Sequence, residues 1–116
     1  MNDTIQVLGK LMDAAALRQK VLSNNLANAN TPGYLRKDVE FGEALASAMK
    51  GGPDAVSRVK PEIIEDTEAR VDGQGNSVSL QKEMGELAQN AMLYDFAAEM
   101  TAHKFSGLRK AISGTK

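Results

Sequence analysis

The 116-residue sequence contains no cysteine and no tryptophan, and its only histidine is His103. Without cysteine there are no disulfides and no thiolate metal ligands, and one histidine leaves few choices for acid–base chemistry. Aromatic residues make up only 4% of the chain, so a core must be built mainly from Leu, Val, Ile, Met and Ala. Such side chains suit close contacts between helices, and we expect neither a metal site nor a cofactor.

An excess of positive charge is also missing, because 14 Lys and Arg residues face 15 Asp and Glu residues. A nucleic-acid partner is therefore not expected. No apolar run approaches the roughly 20 residues that a membrane-spanning helix requires. Asp3 and Lys10 interrupt the pattern of a secretion signal, so we expect a soluble chain without a cleavable signal peptide.

A heptad stripe dominates the N-terminal part of the chain. Its members recur in steps of three and four residues: Ile5, Leu8, Met12, Ala15, Gln19, Leu22, Leu26 and Ala29. This spacing predicts a helix over residues 4–30, with Asp3 or Thr4 as the N-cap. Pro32 biases Thr31 away from helical geometry and ends the helix.

A second stripe runs through the C-terminal part, again in steps of four and three: Leu80, Met84, Leu87, Ala91, Tyr94, Ala98, Thr101, Phe105, Leu108 and Ile112. It predicts one helix from about Leu80 to Ser113, capped by Ser77 or Ser79 and ended by Gly114. Between the stripes, residues 41–49 predict a short helix broken by glycines and Pro53, and residues 61–76 predict loop with at most one weak hairpin.

The predicted fold is mainly α, with long N- and C-terminal helices that pack as a coiled-coil-like pair around a short irregular middle segment. The predicted regions are residues 1–30, an N-terminal assembly helix; residues 31–76, the turn, short helix and irregular insert; and residues 77–116, a C-terminal assembly helix. A chain of this size has little room for an enclosed substrate pocket, so no small-molecule substrate is expected.

Each long helix carries a further apolar face beside or opposite its stripe. On the first helix this face comprises Val7, Leu11, Ala14, Leu17 and Val21, and on the second it comprises Met92, Leu93, Phe96, Ala97 and Met100. One interpretation is that the middle segment buries both faces, as in a small bundle. The interpretation we favour is that the middle segment is too short and too polar, which leaves these faces for self-association or a large partner.

The segment NNLANANTPGY, residues 24–34, places four asparagines at the predicted helix end. Asparagine side chains can hydrogen-bond both to the unpaired carbonyls of a helix end and to a neighbouring chain. Pro32 and Gly33 suit the second and third positions of a type II turn, which would leave Tyr34 free to pack back on the helix. A merely solvated, fraying end would need fewer asparagines and no apolar residues among them.

This segment, extended back to Arg18, resembles the N-terminal motif of bacterial flagellar axial proteins, the rod, hook and hook-associated families. Arg18-Gln19, the continuation Asp38-Val39-Glu40-Phe41, Glu83-Met84 and the short length resemble the proximal rod subunits in particular. The resemblance covers most of the chain and implies a non-enzymatic building block. It further implies export through the flagellar type III channel and terminal helices that form the inner tube of the periplasmic rod in the basal body.

The partners that the resemblance implies are other rod subunits, the export gate, the rod-base adaptor and the membrane-ring protein. The residues expected at the assembly interface are Leu8, Met12, Leu22, Asn24, Asn25, Leu26, Asn28, Leu87, Met92, Tyr94, Phe96, Met100, Phe105 and Leu108. The turn residues are Thr31, Pro32, Gly33 and Tyr34. Two alternatives stay open at this point: another flagellar axial protein, and a coiled-coil adaptor that dimerises and stops there.

Other candidate sites are weak. Glu99 and His103 are four residues apart on a predicted helix, but two ligands do not make a metal site. The acidic residues of positions 62–68 suit a solvated face better than paired catalytic carboxylates. Gly73-Gln74-Gly75 is too short a match for a phosphate loop.

Overall fold

A computed structural model of the chain describes residues 3–67 and 77–114. Its elements are α1 (Asp3–Ala27), β1 (Lys37–Glu40), α2 (Gly42–Met49), α3 (Pro53–Arg58), β2 (Glu62–Glu65) and α4 (Leu80–Ser113). The two long helices lie against each other in antiparallel orientation, because Arg18 contacts Glu86 while Met12 contacts Thr101. The molecule is elongated, with extents of 64 × 28 × 14 Å.

Helix α1 ends at Ala27, three residues before the predicted end. The next backbone bonds tighten to the spacing of a 3₁₀ turn: the amide of Ala29 donates to the carbonyl of Leu26, and that of Thr31 to the carbonyl of Asn28. This tightening satisfies carbonyls of the last turn without lengthening the helix.

The predicted turn is present as expected. The amide of Tyr34 donates to the carbonyl of Thr31 at 3.1 Å, and Gly33 has φ of +79°, as the third position of a type II turn requires. A Cβ at Gly33 would meet nothing within 4 Å. Glycine is therefore required by the backbone angle and not by lack of space.

Residues 31–67 contain more regular secondary structure than the sequence indicates. Strand β1 pairs antiparallel with β2, with Lys37 opposite Glu65 and Glu40 opposite Glu62. Helix α2 matches the prediction, but α3 was not predicted. Pro53 lies in the first turn of α3, a position that suits proline, because proline interrupts only the helix that precedes it. Strand β2 pairs with β1 across both short helices. The weak hairpin expected within residues 61–76 falls largely on residues 68–76, which lie outside the described residues.

A small core joins α1 to the middle segment. It consists of Ala14, Phe41, Leu45 and Val56, with Val7, Leu11, Val39, Ala48 and Val59 packed against it. The further apolar face of α1 is thus covered within the chain, and our preference for leaving it uncovered was wrong for this helix. The short helices and the strand pair supply the cover that a loop could not have supplied.

Helix α4 begins and ends as predicted: the hydroxyl of Ser79 accepts from the amide of Lys82, and Gly114 adopts φ of +69°. The side turned towards α1, however, is centred on Glu83, Asn90 and Ala97, which recur every seven residues and are all buried.

The predicted apolar stripe of α4 is rotated away from this line. Met84 is 60% exposed and Ile112 is 86% exposed. We expected Ala97 on the far face of α4, and this expectation was wrong. Ala97 packs against α1 and is only 1% exposed. Polar contacts explain the rotation, since the side-chain amide of Asn90 donates to the Ala15 carbonyl and to Gln19, both at 2.8 Å.

Candidate functional site

The asparagine-rich segment organises the chain reversal after α1. Asn25 is fully buried, its amide nitrogen donates to the Lys37 carbonyl at 2.7 Å, and its oxygen accepts from the Lys37 amide at 3.0 Å. The Tyr34 hydroxyl donates to the same oxygen at 3.1 Å, so Tyr34 packs back on α1 as expected. Asn25 therefore pairs with the start of β1 much as a neighbouring strand would, whereas Asn28 donates to the Asn24 carbonyl at the helix end.

A buried arginine lies next to this turn and collects carboxylates from three parts of the chain. Arg36 is 3% exposed and forms a close ion pair with Glu83, which is fully buried. Its other nitrogens lie 2.6 Å from Asp66, 2.7 Å from Glu86 and 3.3 Å from Asp38. Arg36 thus holds α4 and the segment after β2 against β1.

A second arginine connects the same cluster to α1. Arg18 lies 2.7 Å from Asp38 and 2.9 Å from Glu86. We call these six side chains the Arg36 network: Arg18, Arg36, Asp38, Asp66, Glu83 and Glu86. It joins α1, β1, α4 and the end of β2 at one place.

The surroundings of Arg36, Arg18 and Asp38 favour the charged forms of these three side chains. Burial by itself would lower the pKa of Arg36, but the hydrogen bonds and charges of Glu83, Asp66 and Glu86 raise that pKa well above its ordinary value. The hydrogen bond with Asp38 is the main cause that raises the pKa of Arg18. For Asp38, burial raises the pKa, yet the bonds from Arg18 and the Val39 amide outweigh it and hold the pKa below its usual range. These groups are suited to clamping helices and not to transferring protons near neutral pH.

Sequence reasoning missed the Arg36 network as a unit. Arg18, Asp38 and Glu83 were noted only as members of a motif, and Arg36 was not noted at all. The one signal available was that Glu83 shares a seven-residue spacing with Asn90 and Ala97. Polar and small residues at this spacing on an otherwise apolar helix indicate a face that contacts polar groups of a neighbouring element.

The predicted interface residues fall into three groups. Leu8, Leu22 and Asn25 are buried within the chain; Met12, Leu26, Asn28, Leu87, Met100 and Leu108 are half-buried; and Asn24, Met92, Tyr94, Phe96 and Phe105 are exposed. Of the turn residues, Thr31, Pro32 and Gly33 are exposed and Tyr34 is half-buried. The structure thus buries three of the N-terminal members inside the chain and leaves Met92, Tyr94, Phe96 and Phe105 of the C-terminal members exposed.

One side of α4 carries a row of apolar side chains at positions 92, 96 and 100, and the first two are exposed. Met92 is 70% exposed and Phe96 is 59% exposed, while Met100 one turn further on is half-buried. We call these three residues the outer face of α4. Exposed apolar side chains in a row along a helix are typical of a protein contact surface.

Other kinds of site find no support among residues 3–67 and 77–114. No three His, Asp or Glu side chains of these residues are arranged to hold a metal ion. Within the same ranges no helix combines the length and apolarity that crossing a bilayer requires. Glu99 and His103 are both exposed on α4.

Comparison with known proteins identifies the class to which this geometry belongs. Residues 5–34, which cover most of α1 and the turn, match the family described as flagella basal body rod protein. The chain is 32% identical to the flagellar basal body rod protein FlgB of Bacillus subtilis (strain 168), with 97% of this chain and 95% of the relative covered. It is 31% identical to FlgB of Aeromonas hydrophila, with 84% of this chain and 83% of the relative covered. It is 27% identical to FlgB of Escherichia coli (strain K12), with 87% of this chain and 86% of the relative covered.

These similarities extend over nearly the whole chain, including the two long helices and the middle segment. The chain belongs to the family of the flagellar basal body rod protein FlgB.

Proposed function

We propose that this protein is a structural, non-enzymatic subunit of the proximal rod of the bacterial flagellum, and that it assembles through its two terminal helices. Family membership supports the rod assignment, and the paired helices α1 and α4 provide a stiff element of the kind that a tubular wall requires. Helix α4, with 34 residues, is about 51 Å long. That length exceeds what a compact domain of 116 residues would need.

The single observation that carries assembly is the outer face of α4. The chain covers the further apolar face of α1 with its own middle segment, but Met92 and Phe96 stay exposed. A monomer gains nothing from apolar side chains at such positions, whereas a polymer would bury them against a neighbouring subunit. A dimeric coiled-coil adaptor is the second candidate, and it would saturate at two copies.

The partners and the location follow as parts of the same proposal. We expect contacts with other rod subunits, with the export gate and rod-base adaptor below, and with the surrounding membrane-ring protein. The subunit would reach the periplasmic rod through the flagellar export channel without a cleavable signal peptide. Its Arg36 network would keep the turn, the strands and both helices in one arrangement once the chain has refolded.

The test replaces Phe96 with aspartate in a strain that lacks its own copy of the gene. In an assembled rod this change removes an aromatic contact and buries a charge at every copy, so we expect normal expression and export but no rod and no swimming. Ala46→Asp is the matched control, because Ala46 is exposed on α2 and belongs to neither long helix. Rods are counted in isolated basal bodies and motility is measured in soft agar.

Normal swimming by the Phe96→Asp strain would contradict assembly through the outer face of α4. The adaptor is tested separately with purified protein by sedimentation at rising concentration. A mass that levels off at two copies would favour the adaptor over the rod subunit.

A further inference from the structure

A shallow groove lies between the two long helices, on a different side of α4 from its outer face. It has a volume of about 410 Å³ and is lined by Ala15, Ala16, Gln19, Lys20, Ala91, Tyr94 and Asp95. Its floor is apolar because alanines occupy the positions where larger side chains would otherwise fill the space. We call it the α1–α4 groove.

Phe96 cannot occupy the groove of its own chain. Successive helix residues are turned by about 100°, so Phe96 points about 140° away from Ala91 and about 160° away from Tyr94 around the axis of α4. Both of those residues line the groove. An exposed aromatic side chain and an open apolar groove of suitable size thus occur on one molecule but can meet only between two molecules.

Charges beside the two features are complementary. Lys20 is exposed at the α1 rim of the groove, and Glu99 is exposed one turn beyond Phe96 on α4. Neither side chain has an ion-pair partner among the salt bridges of the described residues. Asp95 lies on the opposite rim, so an incoming acidic group is attracted to the α1 side and repelled from the α4 side. This asymmetry gives the contact a defined orientation.

We propose that Phe96 of one copy inserts into the α1–α4 groove of a second copy, with Glu99 of the first paired to Lys20 of the second. The proposal rests on the proposed function and names the contact by which subunits of this chain join. Because the inserted side chain and the groove are different surfaces, the contact is head-to-tail. Such a contact leaves one free groove and one free Phe96 after each addition, so it continues and does not close as a two-fold dimer.

The test uses the absence of native cysteine in the chain. Lys20→Cys and Glu99→Cys chains are produced together in a strain without the native gene, and basal bodies are isolated under mild oxidation. A disulfide-linked pair of chains is expected only when both variants are present. Ala46→Cys combined with Glu99→Cys is the control and should give no linked pair.

A second change tests the groove itself. Ala91→Leu, placed in the Lys20→Cys chain, fills the groove with a side chain that an exposed helix position tolerates. Overfilling a contact costs about 1–3 kcal/mol, so the yield of linked pairs should fall roughly fivefold or more. Ala46→Leu in the same chain adds the same side chain elsewhere and should leave the yield unchanged.

The outcomes separate this proposal from the function on which it rests. Rods that assemble without any link between positions 20 and 99, or with Glu99→Cys chains linked to one another, would overturn the groove contact and leave the rod subunit standing. A disulfide from position 20 to a protein of different mass would overturn the proposal by showing that another subunit, and not a second copy of this chain, lies in the groove. If the unsubstituted chain is not incorporated into basal bodies at all, the proposed function itself fails.

Discussion

Replacing Arg36 with methionine should destabilise the folded chain more than any surface change of similar size. Methionine preserves much of the apolar stem of arginine but removes all five donors. Glu83, which is fully buried, then loses its paired cation, while Asp66 and Glu86 lose bonds of 2.6 and 2.7 Å. Arg18 cannot replace the missing cation directly, because it contacts Asp38 and Glu86 but not Glu83.

The expected magnitude follows from the burial of Glu83. Breaking a buried ion pair by removing one partner costs about 3–5 kcal/mol, since the other charge is left without compensation. A domain of 116 residues has a total stability of about 6–17 kcal/mol. The substitution should therefore remove a large share of the free energy of unfolding.

The double variant Arg36→Met with Glu83→Leu should recover much of this loss, because neither charge is then buried alone. Asp66 and Glu86 keep side-chain exposures of 21% and 23%, so water can solvate them. This recovery would show that the cost of the single change comes from the orphaned carboxylate and not from lost packing.

The assay is urea unfolding followed by far-ultraviolet circular dichroism at neutral pH. Arg58→Met is the matched control, because Arg58 is exposed in the last turn of α3 and its loss should change stability by no more than about 0.5 kcal/mol. If Arg36→Met lowers the free energy of unfolding by less than about 1 kcal/mol, the reasoning is refuted, because removing the cation from a buried, ion-paired Glu83 should cost more than that.

Two further predictions concern the turn and the pH dependence. Asn25→Ala should lower the free energy of unfolding by about 1–3 kcal/mol, because both backbone groups of Lys37 lose their partner, whereas Asn24→Ala, at an exposed position, should have little effect. Equal losses for the two variants in urea unfolding would contradict this. Because the folded-state pKa of Asp38 is depressed, its contribution is complete above about pH 4 and is lost as the pH falls through the folded-state pKa. Asp38→Asn should therefore flatten the acid side of the stability–pH curve, and an unchanged acid side would count against the Arg18–Asp38 pair.

The sequence by itself determined the two long helices to within a few residues, the N-cap of α4 and the turn. Local rules are sufficient there: heptad spacing specifies the length of α4, the Ser79 hydroxyl caps it, and Gly33 supplies the positive φ that the third position of the turn requires. The motif of residues 18–34 also indicated the family, because it combines amide, apolar and turn residues in a spacing that few chains share.

The tertiary structure decided which face of each helix meets which neighbour. Periodicity shows that a helix has apolar faces but not their rotation about the axis, and on α4 the contact line was set by Asn90 and Glu83 and not by the larger apolar residues. The pairing of β1 with β2, across α2 and α3, is a long-range contact that local propensity does not encode. The Arg36 network depends on the same long-range placement, because its carboxylates come from positions 38, 66, 83 and 86 and meet only after the chain has reversed.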